Sequence, residues 1–155
     1  MIRFTIEHDP FKVTAQQKRV STLNGAPRFY YPERLKEAYN VYLNDVWPYR
    51  PEEPIEGPVA LIVTFWFYTK DKKKWNTAKI TRPDTDNLIK GFKDVLTAAG
   101  FWKDDAQIFQ ETVVKNWSDR GHIDVMILSM DQAKKEAEAL RKEIDEGGYL
   151  WKKKS

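Results

Sequence analysis

Apolar and polar residues alternate from the second position, with Ile2, Phe4 and Ile6 set against Arg3, Thr5 and Glu7. A period of two predicts a half-buried strand, and Asp9-Pro10 closes it. Residues 11–31 carry no clear period and are read as one long ordered loop, of a kind that in a small domain usually serves function. Pro32-Glu33 then opens a helix. Its stripe is Leu35, Ala38, Tyr39, Tyr42, Leu43 and Val46, and Pro48 stops it. After a proline-rich acidic connector over 51–58, the β-branched and aromatic run 59–68 predicts a largely buried strand.

A second helix is predicted over 84–99. Leu88, Phe92, Val95, Leu96 and Ala99 form its stripe, and Gly100 stands where helices commonly end. A turn over 101–106 leads to strands near 108–117 and 122–128, joined by Ser118-Asp119-Arg120-Gly121. Asp131 opens a last helix to about Glu146, with Ala133, Ala137, Leu140 and Ile144 on one face, before Gly147-Gly148.

The order strand, helix, strand, helix, strand, strand, helix predicts an α+β single domain: a mixed sheet of about four strands covered by helices. A length of 155 residues suits one core. The division expected is a main domain over 1–130 and a C-terminal helical extension over 131–155 with a basic tail. Neither an internal repeat nor a dividing linker is visible. The N-terminus is unlike a signal peptide, and the longest apolar run, 59–68, is too short to span a bilayer. A soluble cytoplasmic protein with no membrane partner is expected.

Cysteine is absent, which excludes disulfides and thiolate zinc sites. His8 and His122 lie far apart without ligand-like spacing. Any metal should therefore be a hard cation held by oxygen. The formal net charge of +3 hides an uneven distribution. Lys70, Lys72, Lys73, Lys74, Lys79 and Arg82 form the densest basic patch, opposed only by Asp71, and it ends just before the first acidic motif.

That motif is Arg82-Pro83-Asp84-Thr85-Asp86-Asn87-Leu88-Ile89-Lys90, followed by Asp94 and then Asp104-Asp105-Ala106-Gln107. Asp84 and Asp86 bracket a helix start, where two carboxylates can converge on a cation while the chain between them is not yet helical. Lys90 lies four residues after Asp86 on the same face, and Asp94 one turn further. Asp104-Asp105 reaches the pair if the following strand runs back alongside the helix. Phosphodiester cleavage needs an activated water and compensation for charge on the leaving oxygen. Magnesium on carboxylates serves both, with a lysine beside it. The upstream cations would attract a phosphate backbone.

Each element also has a plainer reading. Asp-x-Asp at a helix start is commonly a cap and dipole partner. Asp86 with Lys90 fits a surface pair, Asp104-Asp105 fits a turn, and Lys72 to Lys74 fits a solvated loop. The run Phe29-Tyr30-Tyr31 suits packing at a helix entry better than base stacking. What favours chemistry is their joint occurrence around one helix.

The same stretch resembles the signature of the RusA family of Holliday-junction resolvases. The continuation Asp94, Leu96, Gly100, Asp104-Asp105-Ala106-Gln107-Ile108 and Lys115 extends the likeness. It is closest over residues 80–115 and follows the order of elements over about 1–130. The resemblance implies a homodimeric, magnesium-dependent endonuclease, with Mn2+ as a substitute, that resolves four-way junctions by paired symmetric nicks. It carries the three essential acids onto Asp84, Asp86 and Asp105 as metal ligands and the catalytic lysine onto Lys90. Asp104 and Asp94 are supporting acids. A phage or prophage source fits. The sequence departs from the family where a Gly and a Lys/Arg-Pro-Arg run are frequent, since Gln16-Gln17-Lys18-Arg19-Val20 has neither.

The expected DNA contacts are Lys18, Arg19, Arg28, Lys72, Lys73, Lys74, Lys79 and Arg82, holding the arms of branched DNA. The alternatives are a nuclease selective for flaps or forks, separable by comparing substrates, and a binding module without catalysis, which would bind in a salt-sensitive way and never nick.

Overall fold

The computed structural model describes residues 1–12, 19–23, 25–30, 33–130 and five positions between 135 and 142; for 19–23 and 26–30 it describes the backbone. The elements are β1 (Ile2–Ile6), β2 (Arg19–Leu23), β3 (Ala26–Tyr30), α1 (Glu33–Val46), β4 (Val59–Tyr68), α2 (Thr85–Ala98), β5 (Ile108–Ser118) and β6 (His122–Ser129). Short 3₁₀ turns occupy Trp47–Tyr49, Lys72–Lys74 and Asp105–Gln107. The helix expected over 131–146 and the basic tail lie largely outside the described residues.

Four strands form one mixed sheet in the order β1-β6-β4-β5. β4 and β5 are parallel, while β4 with β6 and β1 with β6 are antiparallel. A parallel pair needs a crossover, and α2 supplies it. Alternation fixes the inner face: Leu61, Val63, Phe65 and Phe67 of β4 are buried, and Ile62, Thr64 and Trp66 between them are half-buried. Ile123, Val125 and Ile127 of β6 and Phe4 and Ile6 of β1 join the same core, which Tyr42 and Val46 of α1 and Leu88, Phe92 and Leu96 of α2 cover. The α+β reading with a mixed four-stranded sheet and covering helices therefore holds.

One expectation fails. Residues 11–31 are not a single loop, because β2 and β3 pair as an antiparallel hairpin, from Arg19 opposite Tyr30 to Leu23 opposite Ala26. Gly25 in its turn has φ +78°, a conformation that costs glycine little.

Helix α2 ends as its sequence predicts. Gly100 has φ +85°, its N–H donates to the Thr97 carbonyl at 3.0 Å, and Phe101 N–H donates to that of Leu96 at 3.1 Å. This left-handed stop turns Phe101 and Trp102 into the core, where both are almost fully buried. It also fixes where the acids that follow can lie.

Candidate active site

Asp84 is the N-cap residue of α2, with extended backbone, and its carbonyl accepts the first helical bond from Leu88 N–H at 3.1 Å. Its side chain, however, makes no capping hydrogen bond. An aspartate at this position ordinarily satisfies an orphan N–H of the first turn. Here the carboxylate is exposed and not engaged by the helix, beside the exposed Asp86. Lys90 is exposed one turn further along. Two carboxylates, a lysine and the positive end of a helix thus share one corner, suited to a hard cation and a phosphate.

The chain leading into Asp84 is tightly held. Residues 76–79 lie along the outer edge of β5: Asn76 N–H donates to Trp117 O, Trp117 N–H to Thr77 O, and Lys79 N–H to Lys115 O, each at 2.9 Å. Ammonium groups then gather the loop that follows. Lys115 Nζ donates to Thr81 O at 2.8 Å and Pro83 O at 2.7 Å. Lys79 Nζ donates to Thr81 O at 3.0 Å, to Thr81 Oγ1 at 2.6 Å and to Arg82 O. The Arg82–Pro83 peptide is cis.

Asp105 does not join this corner. The expectation that it folds back beside Asp84 and Asp86 within one chain is corrected by the direction of α2. Asp105 Oδ1 accepts from the Thr97 hydroxyl and from Trp102 Nε1 at 3.1 Å, which places it at the helix's C-terminal end. From Asp86 to Thr97 a helix rises about 16 Å. The strand β5 does run alongside α2, but Asp105 stands before its first residue, while Lys115 lies near its other end. Among the described residues no group of three acids or histidines is placed to hold a metal.

Asp104 caps the following 3₁₀ turn, accepting from Ala106 N–H at 2.7 Å. Gln107 completes that capping box. Its Oε1 accepts from Lys103 N–H at 2.8 Å and Asp104 N–H at 3.1 Å, and its Nε2 donates to Ile55 O and Gly57 O, both at 2.9 Å. Asp104 therefore serves the turn, as the plainer reading has it. Asp94 is exposed on α2 along the groove between α1 and α2. Burial, and after it the Asp94 charge, raise the Tyr39 hydroxyl above its ordinary pKa.

The basic residues divide. Lys72, Lys73 and Lys74 form an exposed turn capped by Asp71, which accepts from Lys73 N–H at 3.1 Å, and Arg82 is exposed just before the acids. Lys79 is a correction to the expected DNA contacts: it is 4% exposed, and carbonyl and hydroxyl oxygens take its ammonium. Its Nζ also lies 5.0 Å from the Phe67 ring centroid and 4.8 Å from that of Trp117. Burial first, then Lys115 and Lys12, hold its pKa below the ordinary lysine value. Lys18 lies outside the described residues. Arg19 and Arg28 stand on β2 and β3, with side chains outside them. Sequence reasoning assigned no role to Thr97, Trp102, Gln107 or Lys115. Their signal was available only in part, as a Gln three residues after Asp104 and as the place of Gln107 and Lys115 in the family likeness.

The model of the family described as Endodeoxyribonuclease RusA matches residues 10–128. A protein of Lactococcus phage r1t named Crossover junction endodeoxyribonuclease rusA is 32% identical over 126 residues, covering 80% of this chain and 95% of that protein. Uncharacterized protein YqaN of Bacillus subtilis (strain 168) is 31% identical over 137 residues, covering 81% and 94%. The family model and the phage relative agree on one assignment: this chain belongs to the RusA family and is an endodeoxyribonuclease.

Proposed function

We propose that the enzyme is a magnesium-dependent resolvase that cuts four-way DNA junctions by paired symmetric nicks, acting as a homodimer in the cytoplasm of a bacterial or phage-infected cell. The observation that carries this reading is the Asp84 carboxylate, which stands at a helix N-cap without capping and has Asp86 and Lys90 beside it. The phage relative, a crossover junction endodeoxyribonuclease by name, supports the junction as substrate.

The donor set fits a hard divalent cation. Asp84 and Asp86 would hold magnesium, with Mn2+ as a substitute. When bound, the ion supplies neutralising charge at the phosphoryl oxygens. Lys90 adds positive charge where negative charge develops on the phosphate. The exposed N-terminus of α2 orients the phosphate. Lys72, Lys73, Lys74 and Arg82 hold the backbone that leads to it.

A third acid comes from a second copy. One α2 keeps Asp84 and Asp105 at opposite ends, but two such helices antiparallel about a twofold axis would bring Asp105 of each beside Asp84 and Asp86 of the other. Two equal sites then follow from the symmetry, as two opposed nicks require.

The direct test is incubation of the purified protein with a synthetic four-way junction, a flap and a linear duplex, with and without magnesium. Paired nicks in the junction that need magnesium are expected. Equal cutting in a chelator, or a junction left intact beside a cut flap, would reject the reading.

A further inference from the structure

Lys79 and Lys115 are cross-strand neighbours, because residues 76–79 pair with the edge of β5. Two ammonium groups side by side repel, and a buried one is costly unless each donor finds an acceptor. Both conditions are met by a single stretch of chain. The Thr81 carbonyl accepts from both lysines, the Arg82 carbonyl from Lys79, and the Pro83 carbonyl from Lys115.

On the reading that Asp84 and Asp86 hold a divalent cation, we infer that Lys79 and Lys115 are positioning residues, whose ammonium groups draw three successive carbonyls inward and set the backbone from which the acidic pair projects. Asp84 is then fixed from both sides: the Pro83 carbonyl is held by Lys115, and its own carbonyl by Leu88 N–H. The carboxylate between these anchors keeps its oxygens for the ion. The same contacts withdraw the carbonyls of Thr81, Arg82 and Pro83 from competing as ligands. A lysine pair that merely filled space would have no reason to gather the three peptide groups that precede the first acid.

The test compares Lys115→Met, Lys115→Arg and Asp86→Asn in the full chain. Mn2+ binding is measured by calorimetry without DNA, junction binding by gel shift in chelator, and nicking as kcat and KM. Lys115→Met should keep junction affinity and KM while losing about 10- to 100-fold in metal affinity and kcat, the usual cost of removing a partner that orients a ligand. Lys115→Arg should recover most of both. Unchanged metal binding and kcat in a folded Lys115→Met, or a loss matched by equal loss of junction binding, overturns the inference. If Lys115→Met does not fold, Thr81→Val decides, since it removes only one acceptor of Lys79: weaker Mn2+ binding supports positioning, and unchanged binding overturns it. Asp86→Asn separates the two levels. If it loses the ion while Lys115→Met keeps it, only the positioning role falls. If it binds Mn2+ like the parent protein, the reading of the acidic pair falls too.

Discussion

The Thr97 hydroxyl donates to the carboxylate of Asp105 and thereby pins this acid to the C-terminal turn of α2, the end opposite Asp84. Complementation in mixed dimers follows. Homodimers of Asp86→Asn and of Asp105→Asn should each fail to nick. Mixing them by denaturation and refolding forms heterodimers in which one site carries both lesions and the other carries none. Single nicks should therefore return to every hetero-paired molecule, about half of all dimers in an equal mixture by symmetry, without paired cuts. Sites complete within one chain would leave every mixture inactive.

Lys90 is exposed one helical turn beyond Asp86, and in the proposed function it belongs to the chemical step more than to the grip on DNA. Removing one positioned donor at a developing negative charge typically costs about 10²-fold or more in rate. Lys90→Met should lower single-turnover nicking by that order and leave junction affinity within about threefold. A proportionate fall in affinity would make Lys90 a backbone contact.

The exposed turn Lys72–Lys74 and the buried Lys79 should separate in salt. Each phosphate contact contributes about 0.9 to the slope of log affinity against log salt. Replacing Lys72, Lys73 and Lys74 together by alanine should reduce that slope by about 2 to 3, measured by fluorescence anisotropy on a four-way junction. Lys79→Met should leave the slope unchanged. An equal reduction from Lys79→Met would place its ammonium on DNA.

How far the sequence announced this molecule depends on how local each signal is. Val59–Tyr68 is legible as a β-branched and aromatic run and Thr85–Ala98 by its helical period, and Gly100 marks the stop that the hydrogen bonds at Leu96 and Thr97 carry out. The hairpin was signalled by Asn24-Gly25, the residue pair that suits a two-residue turn. Short mixed flanks and Pro27 within the second strand obscured it. Asp84 and Asp86 could be paired from sequence because only Thr85 stands between them. The place of Asp105 depended on the crossover: a helix that carries the chain back from one parallel strand to the start of the next leaves its two ends at opposite edges. Lys79 sits in a run of exposed cations, and only the bridge of Ala78 with Asn116 explains why it turns inward.

Gln107 offers a stability test independent of catalysis. Its side chain accepts from two backbone N–H groups and donates to the carbonyls of Ile55 and Gly57, so it ties the connector before β4 to the turn after α2. A net hydrogen bond contributes about 0.5–1.5 kcal/mol, and partly exposed ones lie low in that range. Gln107→Ala should cost about 2 kcal/mol, which for a chain of this size lowers the melting temperature by about 4–8 °C. Gln107→Glu keeps the acceptor for Lys103 and Asp104 but loses the donor to both carbonyls, and its new charge faces two carbonyl oxygens instead. It should therefore be at least as damaging as alanine, by calorimetry at neutral pH. A glutamate variant as stable as the parent would mean that the contacts to Ile55 and Gly57 contribute nothing to holding the connector.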